Sequence, residues 1–133
     1  MVLVDTSVWI DVLRRRSRVR LEDEVDFDDI VTCLPVVQEV LQGIDEDRPF
    51  RAARDAMLAL PIVEAPLGVA VVEEAVDLYR RARRAGLTVR SSVDCLIAAC
   101  ALRHGLTVLH RDRDYPSLAR VSTLAERSLR RRT

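Results

Sequence analysis

The chain contains no lysine and no asparagine. All 21 of its basic residues are arginine, balanced by 21 acids to a formal charge of zero. Codon bias is the simplest account of the arginine preference, but any mechanism that requires a lysine ammonium is excluded. The missing basic excess also argues against a protein that simply coats nucleic acid, because neutralising phosphates calls for surplus positive charge. No CxxC pair occurs, so a zinc site built on cysteines is not expected. The odd set Cys33, Cys95 and Cys100 lies inside apolar runs, which points to buried free thiols in a reducing compartment. Uncharged apolar stretches such as 65–72 fall far short of the roughly 20 residues of a membrane span. The N-terminal segment does not lead from basic residues into an apolar block, so a cytoplasmic protein with no membrane partner is expected.

What is present is an ordinary globular composition, 49% hydrophobic and 32% charged over 133 residues. It suits a single domain spanning 1–133 with a sizeable core. Apolar runs alternate with segments of helical period, the signature of βαβ units and an α/β fold. Val2-Leu3-Val4 reads as a first strand, and 6–15 as a helix with Val8, Trp9, Val12 and Leu13 on one face. Residues 17–29 are acidic and irregular. Ile30-Val31-Thr32-Cys33 reads as a second strand, with Pro35 suited to the first turn of a helix running to Gly43. A helix over 48–60, a short strand at Ile62-Val63 and a long amphipathic helix over 67–85, closed by Gly86, follow. Another helix covers 91–104 and stops at Gly105, where a left-handed residue commonly ends a helix. Leu106-Thr107-Val108-Leu109 is then a strand and 111–115 a polar loop. Arg120-Val121-Ser122 reads as a last edge strand, and 128–133 as an arginine-rich helix end.

In an open parallel sheet, ligands bind at the carboxyl ends of the strands. Asp5 ends the first strand, and Asp112 and Asp114 follow the 106–109 strand within a few residues, so all three reach one edge. Glu39 sits one turn into the helix after the second strand, and Asp94 in the first turn of the helix beginning at Ser91. Each acid has a plainer reading. Asp5, Thr6 or Ser7 suits an N-cap, Ser91-x-x-Asp94 a capping box, Glu39 a solvated helix face and 111–114 a charged turn. The joint pattern points further, because so many anions gathered together would repel one another and raise their own pKa values. A divalent cation resolves that conflict, and oxygen ligands in this number suit Mg²⁺ or Mn²⁺ rather than zinc. Such an ion brings phosphate chemistry with it.

Arg90, Arg111 and Arg113 flank the cluster; their guanidinium forks match phosphate geometry, or equally pair with neighbouring acids. Arg14-Arg15-Arg16 and Arg80-Arg81-x-Arg83-Arg84 are either grips for a nucleic-acid backbone or solvated helix ends. His104 suits the dipole at its helix terminus, and His110 stands near the acids.

Four motifs in order carry a family resemblance: Asp5-Thr6-Ser7 after the first strand, Val37-Gln38-Glu39-Val40, Asp94-x-x-Ile97-Ala98-Ala99, and the closing His110-Arg111-Asp112-Arg113-Asp114-Tyr115. Together they resemble the PIN-domain ribonucleases, and more narrowly the VapC toxins of bacterial toxin–antitoxin pairs, over essentially the whole chain. The resemblance implies a parallel sheet of about five strands sandwiched by helices. It implies that Asp5, Glu39, Asp94 and Asp112 form an acidic quartet binding one or two Mg²⁺ or Mn²⁺ ions. Asp114 would ligate directly or through water, and Ser7 and Thr6 would orient water or substrate. The implied activity is hydrolysis of RNA, of the tRNA or ribosomal RNA class, leaving a 5′-phosphate and a 3′-hydroxyl. The implied partners are a cognate VapB-type antitoxin and a second copy of the chain, as a homodimer within the complex. Trp9, Val12 and Leu13 are either lining for the antitoxin groove or plain core. The final motif departs from the family pattern in carrying two acids, so the fourth ligand is Asp112 or Asp114; Asp112, nearer the strand, is preferred.

An aspartate ending a first strand is also the nucleophile of phosphoaspartate phosphatases. Those need a second aspartate two residues on, where Ser7 stands, and a later lysine. A phosphorylated receiver domain fails for want of the same lysine. A PIN fold used only to bind RNA or protein is the remaining alternative, and the intact acid set argues against it.

Overall fold

The computed structural model describes residues 1–14 and 19–129. Strands β1 (Val2–Val4), β2 (Ile30–Cys33), β3 (Ile62–Val63), β4 (Thr107–His110) and β5 (Ala125–Ser128) make one sheet in the order β3-β2-β1-β4-β5. Every pairing is parallel, with β1 central between β2 (Val2 opposite Ile30) and β4 (Leu3 opposite Val108). A parallel strand covered on both faces needs apolar residues at successive positions rather than alternate ones. All four residues of β2 are accordingly buried, as are Leu3 and Val4 of β1 and Val108 and Leu109 of β4. The β1–β4 ladder continues one residue further, the Asp5 amide donating to the Leu109 carbonyl at 2.9 Å. That bond fixes Asp5 at the carboxyl edge.

Six helices accompany the sheet among the described residues: α1 (Thr6–Leu13), α2 (Leu34–Gln42), α3 (Asp47–Leu58), α4 (Val69–Arg84), α5 (Ser92–His104) and α6 (Asp114–Arg120). Pro35 occupies the first turn of α2, where its missing N–H costs nothing. Helix α5 is buried nearly all round, and its Cys95, Ala98, Ala99, Cys100 and Ala101 are small enough to let neighbouring elements approach closely. It ends at Gly105, whose φ of 62° is the left-handed conformation expected there. All three cysteines are free and buried.

The carboxyl-terminal third departs from the sequence reading. Helix α6 takes in Asp114 and Tyr115, the end of the expected 111–115 loop, and Arg120, the start of the expected edge strand, with Pro116 in its first turn. Residues 111–113 remain outside any helix or strand, and the last strand lies at Ala125–Ser128. Arg120 and Val121 therefore end a helix. The segment Ala-Glu-Arg-Ser is polar and largely exposed, so neither composition nor alternation marked it as a strand. Ser128, expected in a helix end, belongs to β5, and Leu129 is buried. Helix α1 stops at Leu13. Arg15 and Arg16, and residues 130–133, lie outside the described residues. Residues 21–23 and 27–29 form single helical turns within the acidic segment. Trp9 belongs to the core, Val12 packs partly against it, and Leu13 is half exposed beside an exposed Ile10.

Candidate metal centre

Asp5 is both cap and candidate ligand. It N-caps α1 in extended backbone conformation, its Oδ2 accepting from the Ser7 amide at 3.1 Å and the Ser7 hydroxyl at 2.5 Å. The same Ser7 hydroxyl accepts from the Arg111 amide at 3.0 Å, which fastens the start of α1 to the chain leaving β4. The other oxygen, Oδ1, accepts from the Tyr115 hydroxyl at 2.5 Å. Asp5 is buried, so this set of donors holds a carboxylate that water does not surround.

Asp94, Asp112 and Asp114 each place a carboxylate oxygen within 4.8 Å of the others. Ser91 caps α5, its hydroxyl accepting from the Asp94 amide at 3.3 Å, but its own amide donates to Asp114 at 2.9 Å rather than back to Asp94, so the capping box expected of Ser91-x-x-Asp94 is only half formed. Asp114, at the start of α6, accepts from the Arg90 amide at 3.0 and 3.1 Å and from the Ser91 amide at 2.9 Å. It thus ties α6 to the approach of α5. Asp112 is half-buried, and its Oδ1 accepts from the Asp114 amide at 2.9 Å.

Asp94 shows the strain in this grouping. Burial first, then hydrogen-bonding proximity to Asp112 and the charges of Asp5 and Asp112, push its carboxyl from 3.8 up to about 10. Its Oδ2 is buried without a hydrogen-bond partner among the described residues. A buried acceptor that no donor reaches, among carboxylates that cannot all ionise comfortably, is the situation a divalent cation relieves. The all-oxygen donor set fits a hard ion.

Asp5 and Glu39 both lie outside the three-acid group. Asp5 is linked to it through the Tyr115 hydroxyl, which also lies 3.4 Å from Asp94 Oδ1, and Glu39 is linked to the start of α1 through Thr6, whose hydroxyl donates to Glu39 Oε1 at 2.8 Å. Thr6 and Ser7 thus both spend their hydroxyl protons on carboxylates. The arginines divide. Arg111 pairs with Asp11 of α1, whereas Arg90 and Arg113 are exposed and make no ion pair among the described residues. A recess of about 340 Å³ beside Asp112 is lined by Arg111 and Arg113. Arg81 is spoken for by Asp77 at 2.8 Å and the Val121 carbonyl at 2.9 Å, holding α4 to the end of α6. His104 meets Glu64 at 2.9 Å.

Two participants escaped the sequence reading in their roles. His110 is buried with both ring nitrogens engaged: Nδ1 accepts from the Asp112 amide at 3.1 Å, which leaves Nε2 to donate to Glu126 at 2.7 Å. It orients the Asp112 turn and has no nitrogen left for a cation. Tyr115 is fully buried with its hydroxyl between Asp5 and Asp94. Its one visible signal was adjacency to Asp114, because the helix that turns it inward was not foreseen.

The PIN domain family matches residues 2–121. Ribonuclease VapC11 of Mycobacterium tuberculosis is 37% identical over 142 aligned positions, covering 98% of this chain and all of that protein. The chain belongs to the PIN-domain family, among the VapC ribonucleases. In fold, this VapC chain is similar to VapBC2 from Rickettsia felis, solved bound to a promoter DNA fragment. The TM-score is 0.76 at 15% identity, over 98% of this chain and 100% of that one. It is also similar to Mycobacterium tuberculosis VapC20, described as a sarcin-ricin loop cleaving toxin, with a TM-score of 0.70 at 18% identity over 94% of this chain and 99% of that one. Among the described residues no helix is long and apolar enough to cross a membrane.

Proposed function

We propose that Asp5, Asp94 and Asp112, supported by Glu39 and Asp114, hold one or two Mg²⁺ or Mn²⁺ ions and that this centre hydrolyses RNA. The observation that carries the reading is Asp94: a buried carboxylate oxygen without a donor among the described residues, on a group that burial first, and then the neighbouring acids, push up to about 10. A divalent ion held by these carboxylates would supply an activated water near neutral pH and offset charge on the phosphate. The chain's own residues do the rest. Ser7 and Tyr115 orient Asp5, Ser91 caps the turn of α5 that carries Asp94, and the Arg90 and Ser91 amides hold Asp114. Arg90 and Arg113 are free to take the phosphates on either side of the scissile bond, Arg111 being paired with Asp11. Of the two acids in the last motif, Asp112 suits direct ligation, because three amide contacts already hold Asp114.

The VapBC neighbours support extending the reading to a cytoplasmic toxin, acting as one domain, dimerising, and neutralised by a VapB-type antitoxin. A tRNA or ribosomal RNA target fits the VapC relatives. The test is cleavage of total RNA in Mn²⁺ with 5′-end mapping, comparing the natural chain with Asp5→Asn and Asp94→Asn. Each substitution is expected to lower the rate by at least on the order of 100-fold while leaving the circular dichroism spectrum unchanged. Undiminished cleavage by either folded variant sinks the assignment.

A further inference from the structure

We infer that Tyr115 is a positioning residue for the metal centre, its hydroxyl fixing Asp5 so that one lone pair of Oδ1 is left to face a cation. The inference rests on the metal reading of the acidic cluster given above. An ionised carboxylate offers about four lone-pair sites. On Asp5, Oδ2 receives the Ser7 amide and hydroxyl and Oδ1 receives Tyr115, so three sites are taken among the described residues and the fourth is on Oδ1. The same phenol lies 3.4 Å from Asp94 Oδ1, so it stands between Asp5 and Asp94, while Asp94 Oδ2 has no partner among the described residues.

Nothing about the core requires that hydroxyl. A fully buried aromatic at the start of α6 packs as well as phenylalanine, and a phenol is normally buried only where its O–H finds an acceptor. The ring itself is fixed in place. His110 lies tilted against it with centroids 4.9 Å apart, and His110 is in turn held by Glu126 of β5. The orientation of Asp5 thus depends on two anchors from opposite ends of the chain, Ser7 and Tyr115. Partners that orient ligands in this way commonly govern affinity on the order of 10- to 100-fold.

The test is Mn²⁺ affinity, read from the electron paramagnetic resonance signal of free Mn²⁺, for the natural chain, Tyr115→Phe, and a chain with para-aminophenylalanine at 115. Thermal unfolding in chelator is recorded for each. The expected result is a Tyr115→Phe chain that folds as the natural chain does but binds Mn²⁺ about tenfold more weakly. The amino variant, which keeps a donor at the same place, recovers most of that loss. Natural affinity in Tyr115→Phe overturns the inference alone. So does a loss that the amino donor fails to recover, or a Tyr115→Phe chain that no longer folds, since the ring or the core would then be what matters. A natural chain that binds no Mn²⁺ overturns the metal reading itself, and this inference with it.

Discussion

At the scale of single residues, Asp94 shows how stability and function pull apart. Its folded pKa is raised, so without metal it keeps a proton that the unfolded chain releases above its ordinary value of 3.8. Stability from this group is therefore complete in acid and is lost as pH rises through about 10. Asn at 94 carries no such liability. In chelator, Asp94→Asn is expected to unfold at a higher temperature than the natural chain, by a margin that widens from pH 5 to pH 9. Calorimetry at several pH values checks this; a margin constant with pH contradicts it. In Mn²⁺ the order should reverse, because only the natural chain has the charge to hold the ion. Asp94 was legible in the sequence as an acid in the first turn of α5, and the structure places its amide on the Ser91 hydroxyl and its carboxyl among the other acids. The role of Tyr115 was not legible, since a tyrosine's burial depends on which element carries it.

At the scale of elements, caps and strand ends did most to make the sequence readable. Gly105, with φ 62° and, among the described residues, nothing beyond its own stretch of chain within 4 Å of where a Cβ would stand, is purely a backbone requirement. Gly105→Ala should cost about 1–2 kcal/mol through left-handed strain alone. The urea midpoint would fall with an unchanged m-value, and RNA cleavage below the transition would stay at its natural rate. A loss of cleavage in the folded state would mean that the α5–β4 junction reaches the site. The failures were at the other end of the chain. Helix α6 is only seven residues long, too short for a periodic signal, and β5 is a polar edge strand. Both are held by neighbours: β5 by its register with β4, from Thr107 opposite Ala125 to His110 opposite Ser128, and α6 by Arg81 at its end.

At the scale of the whole molecule, charge is neutral overall but locally arranged. Arg90 and Arg113 stand exposed beside the acids, whereas Arg111 and Arg81 are engaged in ion pairs. Replacing Arg90 and Arg113 together with glutamine should weaken RNA binding and reduce the slope of log K against log salt by roughly 1.4, about 0.7 per phosphate contact on a single strand. A slope unchanged in the double variant argues that phosphate lies elsewhere. Binding of a cation to the folded state alone also predicts a global effect. At 100 times its dissociation constant Mn²⁺ should add about 2.7 kcal/mol of stability, seen as a rise of several degrees in Tm that Asp94→Asn does not share.

The sequence by itself determined the parallel α/β architecture, Val2-Leu3-Val4 as a first strand, and the delivery of Asp5, Asp94 and the 112–114 acids to one edge. Continuous apolar runs and helix caps are local, and a parallel sheet sends its strand ends the same way. Only the tertiary structure decided what each acid touches. It left Asp5 and Glu39 outside the three-acid group, gave Asp114 to the Arg90 and Ser91 amides, and set Tyr115 between Asp5 and Asp94. Those contacts join residues as many as 110 positions apart, and no local periodicity encodes which side chain fills a gap between distant elements.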